Sequence, residues 1–267
     1  MSDRPGREQA DENVTGVARG APPDTTRTLA IDVGGTGLKA AVLDAAGAMI
    51  SERVRVPTPH PCPPDRLVSV LTALVAPLPS YGRVSVGFPG MVRGGCVLSA
   101  PSLSRVAGPG SKVSDDLRRA WDGVDMVAAL EAALGAPTRV VNDAEMQGAA
   151  VVRGQGLELV VTLGTGCGTG VFLDGRLAPH LELSQHPFRK DRTYDEVLGD
   201  AARRRVGNAR WSQQVARAVR TLDVLLRFDR LYLGGGNSRR VTLDLGPNVE
   251  LIENIAGILG GARLWDT

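Results

Sequence analysis

Two stretches of the chain, Leu29 to Asp44 and Leu159 to Asp174, share one plan: an apolar strand, a glycine-rich turn and a second strand. Asp32 and Asp44 lie twelve residues apart, as do Thr162 and Asp174, and Gly34 falls on Gly164 when the stretches are overlaid. A repeat of this kind constrains the fold more than composition does, because each copy builds a similar supersecondary unit. It predicts two similar lobes facing each other across a cleft, each bringing a tight turn close to a ligand.

The element after each turn decides which ligand chemistry the turn suits. After Gly37 the sequence LKAAVLD alternates as a strand, so the helix N-terminus that holds a pyrophosphate in a dinucleotide fold is missing. No Gly-Lys-Ser or Gly-Lys-Thr occurs, which removes the Walker loop as well. A phosphate-binding hairpin remains. Its backbone N–H groups face the anion, Thr36 adds a hydroxyl, and Asp32 adds a carboxylate able to hold Mg²⁺ through water. Gly164, Thr165 and Gly166 offer the same chemistry from the other half. Either turn alone is an ordinary hairpin; the two in register point to a polyanion.

Strands are expected at TLAID, LKAAVLD, MISERVRV, GRVSVGF, TRVV and DRLYLGGG, with a further hairpin over LELVVTLGTGCGTGVFLDGRL. Helices are expected at 64–77, around Val124 to Leu134, after Asn142 or Asp143, near 193–205 and 211–226, and from about 253. This is a mixed α/β chain. The expected organisation is a disordered tail over 1–27, an N-terminal α/β lobe over 28–137 and a C-terminal α/β lobe over 138–267, whose final helix is free to cross back.

Composition narrows the function classes. Lys plus Arg is 31 and Asp plus Glu is 29, a formal charge of +2, which is no general footprint for nucleic acid or an anionic membrane. No run of apolar residues is long enough to span a bilayer and the polar N-terminal stretch lacks a secretory pattern, so a cytoplasmic location is expected. Cys62, Cys96 and Cys167 are too widely spaced for a zinc site with paired ligands and are expected as free thiols.

Five segments in order then resemble the ROK family of sugar kinases, within the actin and hexokinase-like (ribonuclease H-like) fold, and especially its shorter members similar to polyphosphate glucokinases. IDVGGTGLK, which carries Gly34, Gly35, Thr36 and Lys39, resembles the first phosphate motif. GFPGMVRGG, with Pro89 and Gly90, resembles the sugar-side loop, and VNDAEMQG the segment of the catalytic Asp. TLGTGCGTG resembles the second phosphate motif, and LYLGGGNS, with Gly234, Gly235 and Gly236, the nucleotide-side loop. The resemblance implies that Asp143 is the general base toward a sugar hydroxyl, with Asn142 and Glu182 binding sugar. It further implies Mg²⁺, ATP or polyphosphate as phosphoryl donor, glucose at its 6-hydroxyl as acceptor, and a homodimer.

Three positions depart from the family pattern. Ser184 replaces a Gly, Gln185 replaces a His that binds sugar or metal, and Ser102 in APSL replaces a sugar-binding Asn. Both Gln185 and Ser102 still bond hydroxyls with a different reach, and His186 is a candidate substitute. The family's zinc-binding Cys cluster is missing, so no zinc is expected, and the tail is too short for the DNA-binding module of its repressor branch. The alternative to a kinase is a non-catalytic sugar or nucleotide sensor. Retention of Asp143 and Asp32 favours the enzyme.

Overall fold

The computed structural model describes residues 25–252 and 257–266. The expected tail lies outside the described residues apart from 25–27. The chain opens with β1 (Thr28–Val33) and β2 (Gly37–Leu43), then β3 (Val54–Pro57), α1 (Pro64–Val75) and β4 (Arg83–Phe88). Next come β5 (Met91–Arg93), β6 (Cys96–Ser99), α2 (Asp115–Trp121), α3 (Met126–Leu134), β7 (Thr138–Asn142) and α4 (Asp143–Ala149). The second half holds β8 (Leu157–Leu163), β9 (Cys167–Leu173), β10 (Arg176–Leu177), β11 (Pro187–Arg189), β12 (Arg192–Thr193) and α5 (Tyr194–Leu198). It continues with α6 (Asp200–Val206), α7 (Asn208–Leu226), β13 (Arg230–Gly234) and β14 (Val249–Leu251).

Among the described residues the main strands form two five-stranded sheets, ordered β3-β2-β1-β4-β7 and β10-β9-β8-β13-β14. In each, the first strand of the hairpin pairs antiparallel with the second and parallel with the strand on its other side. The duplication seen in sequence is therefore a duplication of topology. Each sheet has its own apolar core. In the first half Leu67 and Leu71 of α1, Trp121 of α2 and Leu130 of α3 are buried against Leu29, Ile31 and Val86. In the second, Trp211, Val215 and Leu222 of α7 cover Leu159, Leu231 and Leu233. A third cluster joins the halves: Met146 and Ala149 of α4 pack with Ala30, Val160, Phe172 and Tyr232. At about 25 cal/mol per Å² of apolar surface, such contacts between sheets hold α4 firmly in place.

Several local expectations need correction. β7 pairs with β4, so the first sheet runs to Asn142 and takes in the five residues that a division after 137 assigns to the second half. The third strand is confined to Val54–Pro57, because Asp44 folds its side chain back onto the N–H groups of Ala46 and Ala48 and makes a turn of the preceding residues. The helix expected near 193–205 is two, since Gly199 is held extended between α5 and α6. The loop-rich stretch after Phe88 contains the β5–β6 hairpin and α2.

The closing helix falls partly on residues 253–256, outside the described residues. From 257 the chain makes short 3-10 turns at Leu259–Gly261 and Arg263–Trp265 and crosses onto the first sheet, where Ser85 Oγ donates to Gly261 O at 2.7 Å. Gly260 rests so close to Met146 O that a β-carbon would stand 1.8 Å away. Close approach to α4, and not helix continuation, explains that glycine. No helix of the described residues is long and apolar enough to cross a membrane.

Candidate active site

The first turn is held from behind by its carbonyls. Gly34 N donates to Gly37 O at 3.0 Å, Thr58 Oγ1 donates to Gly34 O at 2.6 Å, and His60 Nε2 meets Gly35 O at 3.2 Å. Among the described residues the N–H groups of Gly35 and Thr36 have no acceptor, so they are open to an anion. The second turn repeats the device. Gly164 N donates to Gly166 O at 3.0 Å, while Gly164 O accepts from Asp200 N at 3.0 Å and Asn237 Nδ2 at 3.1 Å. The N–H groups of Thr165 and Gly166 are left open in the same sense. Gly235, at φ 84°, lies so near Leu163 that a β-carbon would fall 2.5 Å from its carbonyl oxygen; Gly234 and Gly236 thus flank the base of the second turn.

Asp143, the first residue of α4, stands beside Gly168, which flanks the second turn, and feels the charge of Asp32, which flanks the first. Asn142 caps that helix: its Oδ1 accepts from Ala144 N at 2.9 Å, and its own N–H donates to Glu145 Oε2 at 2.7 Å. The Asn142 amide also donates to Gly90 O at 3.0 Å, tying the loop of Pro89 and Gly90 to the start of α4. Its side chain is therefore committed to the fold. Glycine at 87 and 168 lets α4 come close to β4 and β9: a β-carbon on Gly168 would stand 2.9 Å from Ala144 Cβ and 3.7 Å from Asp143 Oδ1.

Burial first, then the charge of Asp32, pushes the Asp143 carboxyl up to about 7, with Glu182 and Glu145 adding to it against one backbone bond from Ala144. A carboxyl tuned to neutrality suits proton acceptance from an alcohol. Asp32 is itself buried and accepts from Lys39 Nζ at 2.8 Å through Oδ2, so Lys39 is paired and not free for phosphate. Its other oxygen accepts no bond among the described residues, and its charge stands beside Asp143. A free carboxylate oxygen of this kind would suit Mg²⁺ held through water.

Between β10 and β11, Glu182 Oε1 accepts from Ser184 N at 2.9 Å. Burial works against its charge, yet His180 and Ser184 outweigh it and hold the carboxyl below the usual range. His180 escaped the sequence reading. Its side chain is 5% exposed, with Nδ1 at 2.6 Å from Glu145 Oε1 and Nε2 facing Glu182 Oε2 at 3.5 Å. Burial again opposes its charge, but the two carboxylates hold the ring up to about 9, so it is imidazolium at neutral pH. Glu145 thus serves α4's cap and His180 together, and links the Asp143 helix to Glu182.

Ser102 comes against the first turn, where a β-carbon on Gly35 would be 3.1 Å from Ser102 Cβ. Gln185 is exposed and donates only to Ser184 Oγ at 3.2 Å, and His186 is exposed with its ring 6.1 Å from that of Tyr194. The buried imidazole beside Glu182 is therefore His180 and not His186. A lone His after Pro179 carries no pattern; only the pairing with Glu145 reveals it.

Comparison with known proteins gives a consistent result. The profile of the ROK family matches residues 28–179. The chain is 27% identical over 258 residues to a polyphosphate glucokinase of Mycobacterium tuberculosis, covering 87% of this chain and 88% of the relative. It is 36% identical over 157 residues to an N-acetylmannosamine kinase of Escherichia coli, covering 56% of this chain and 48% of that one. Among solved structures, an inorganic polyphosphate/ATP-glucomannokinase from Arthrobacter superposes with a TM-score of 0.74 at 31% identity, covering 89% of this chain and 97% of the other. The two-lobed α/β architecture is that of the actin and hexokinase-like fold.

Proposed function

The chain belongs to the ROK family, and on that premise we propose that it is a sugar kinase moving a terminal phosphoryl group from ATP or polyphosphate to a hexose hydroxyl, with the 6-hydroxyl of glucose as first candidate. The observation that carries the reading is the position of Asp143, a carboxyl poised near neutrality beside residues that flank two turns whose amides are open. The polyphosphate-using relatives support either donor, and the N-acetylmannosamine kinase supports a sugar acceptor more generally.

In this mechanism Glu182, oriented by Ser184 N and His180, binds sugar hydroxyls. Asp143 accepts the proton of the reacting hydroxyl as its oxygen bonds to phosphorus and the bond from phosphorus to the leaving phosphate breaks. The amides of Gly35 and Thr36, and of Thr165 and Gly166, donate to the phosphate oxygens, whose charge spreads in a loose transition state. Mg²⁺, when bound near Asp32, supplies charge neutralisation of those oxygens. Closure of the halves about α4 excludes the water that competes with the sugar.

A donor-by-acceptor matrix tests this: ATP and polyphosphate against glucose, mannose and N-acetylated amino sugars, with Mg²⁺. Formation of a sugar phosphate by the wild type and its loss in Asp143→Asn is the expected result. Ligand binding with no turnover for any pair would identify a sensor instead.

A further inference from the structure

The arginines of this chain are unevenly neutralised around the second half. On α6, Arg203 and Arg204 both reach Asp200, at 2.8 and 2.6 Å. One face away, a groove of about 290 Å³ between the β11–β12 hairpin and the α6–α7 corner is lined by Arg189, Arg192, Arg205 and Arg210, with Gln213 and Gln214 beside them. No Asp or Glu lines it, although acids and bases are nearly equal in the whole chain, 29 against 31. All four arginines are exposed. Arg189 makes one long bond to Gln214 Oε1 at 3.5 Å, and the other three have no acceptor or counter-charge among the described residues. The same corner carries the N-terminus of the 19-residue α7, whose cap, Gly207, supplies no side-chain bond and whose first turn holds no acid. Its backbone adds to the positive potential already set by the guanidinium groups.

We propose that this groove binds the distal phosphates of an extended inorganic polyphosphate chain, so that the chain is held at two points, there and at the turns of the candidate active site. The proposal rests on the kinase reading, in which polyphosphate is a phosphoryl donor. Planar guanidinium groups match phosphate oxygens with paired N–H donors, and four of them exceed what one phosphate neutralises. A nucleic acid is disfavoured because no aromatic side chain lines the groove to stack a base, and the nearby Trp211 is fully buried. The groove also touches the site mechanically. Val197 of α5 and Ala202 of α6 lie in its wall, and the junction of those helices buttresses the second turn, with Asp195 Oδ1 accepting from Cys167 N at 2.7 Å and Asp200 N donating to Gly164 O at 3.0 Å. Holding a long donor there raises the effective concentration of the chain at the site, a gain unavailable to ATP.

The test is the double variant Arg205→Gln/Arg210→Gln, read by direct binding of long-chain polyphosphate and by kinetics. We expect its affinity for long-chain polyphosphate to fall about tenfold or more, with KM for that donor rising in parallel. KM for ATP, tripolyphosphate and sugar, and kcat with ATP, should not move, which also reports that the variant is folded. Equal binding of long-chain polyphosphate by variant and wild type overturns the proposal, as does tighter binding of single-stranded RNA than of polyphosphate at the groove. If no sugar is phosphorylated by any donor while the wild type binds polyphosphate and the variant does not, the kinase reading fails and the groove stands. If ATP-dependent phosphorylation proceeds and the variant binds polyphosphate normally, the groove alone fails.

Discussion

The two glycine-rich hairpins share a backbone device and differ in chemistry. Each turn is closed by a bond from its first glycine, fixed through a carbonyl from behind and left with two open amides. The first, however, spans four residues between Val33 and Leu38, and the second three residues between Leu163 and Cys167. Beside the first turn the paired residues are Asp32 and Lys39; beside the second they are Thr162 and Gly168. One half sets an ion pair beside its turn, whereas the other sets small residues there, so that α4 and Asp143 approach closely. The backbone device is built twice, and the two copies differ at the flanking pair.

The most severe challenge to this division is to remove the group that serves both halves. Asp143→Asn should lower sugar phosphorylation by about a hundredfold or more while leaving both turns intact. It should also raise the melting temperature near pH 7.5. The folded protein keeps the Asp143 proton up to about 7, against 3.8 for the ordinary carboxyl, so wild-type stability falls as pH rises through that window and the variant's does not.

A finer contrast uses the glycines that the repeat makes equivalent. A β-carbon on Gly34 would be 2.9 Å from Gly37 O, whereas on Gly164 it would meet nothing within 4 Å. Gly34→Ala should therefore cost about 1–3 kcal/mol in stability and weaken donor binding. Gly164→Ala should stay within about 0.5 kcal/mol of wild type. Denaturant unfolding of the two variants, with donor KM alongside, checks the contrast, and equal losses would show that the turns are not built as described.

His180→Ala removes the tie between α4 and Glu182. Sugar KM should rise about tenfold, as expected for the loss of one charge-assisted bond, with donor KM unmoved and partial rescue by His180→Gln. The wild type should also lose stability as pH climbs from 6.5 through about 9, where the ring loses the proton that its carboxylate partners favour, and His180→Gln should lack that loss. The smallest effect is expected of Asp32→Asn in metal-free protein: the Asp143 carboxyl, relieved of a neighbouring negative charge, should titrate at lower pH by NMR.

Much of this was legible because it rests on short-range rules. Period-two apolar runs with glycines between them marked both hairpins, and the capping types at 142 and 143 marked the start of α4. The one-residue difference between the turns was hidden, since an ungapped overlay matches Asp44 with Asp174 while the pairing slips. The β5–β6 hairpin is too short to show a period, and Gly260 reads as a mere helix weakener until Met146 O is found against it. His180 lay beyond reach because its meaning depends on Glu145, 35 residues away.

A structure with a sugar and a non-hydrolysable donor bound together puts the shared role of the two turns to the proof. Phosphoryl oxygens are expected within hydrogen-bond distance of the Gly35, Thr36, Thr165 and Gly166 amides, with one sugar hydroxyl on the Asp143 carboxylate. Donor phosphates seated away from either turn, or an Asp143 carboxylate facing no hydroxyl, would refute that role.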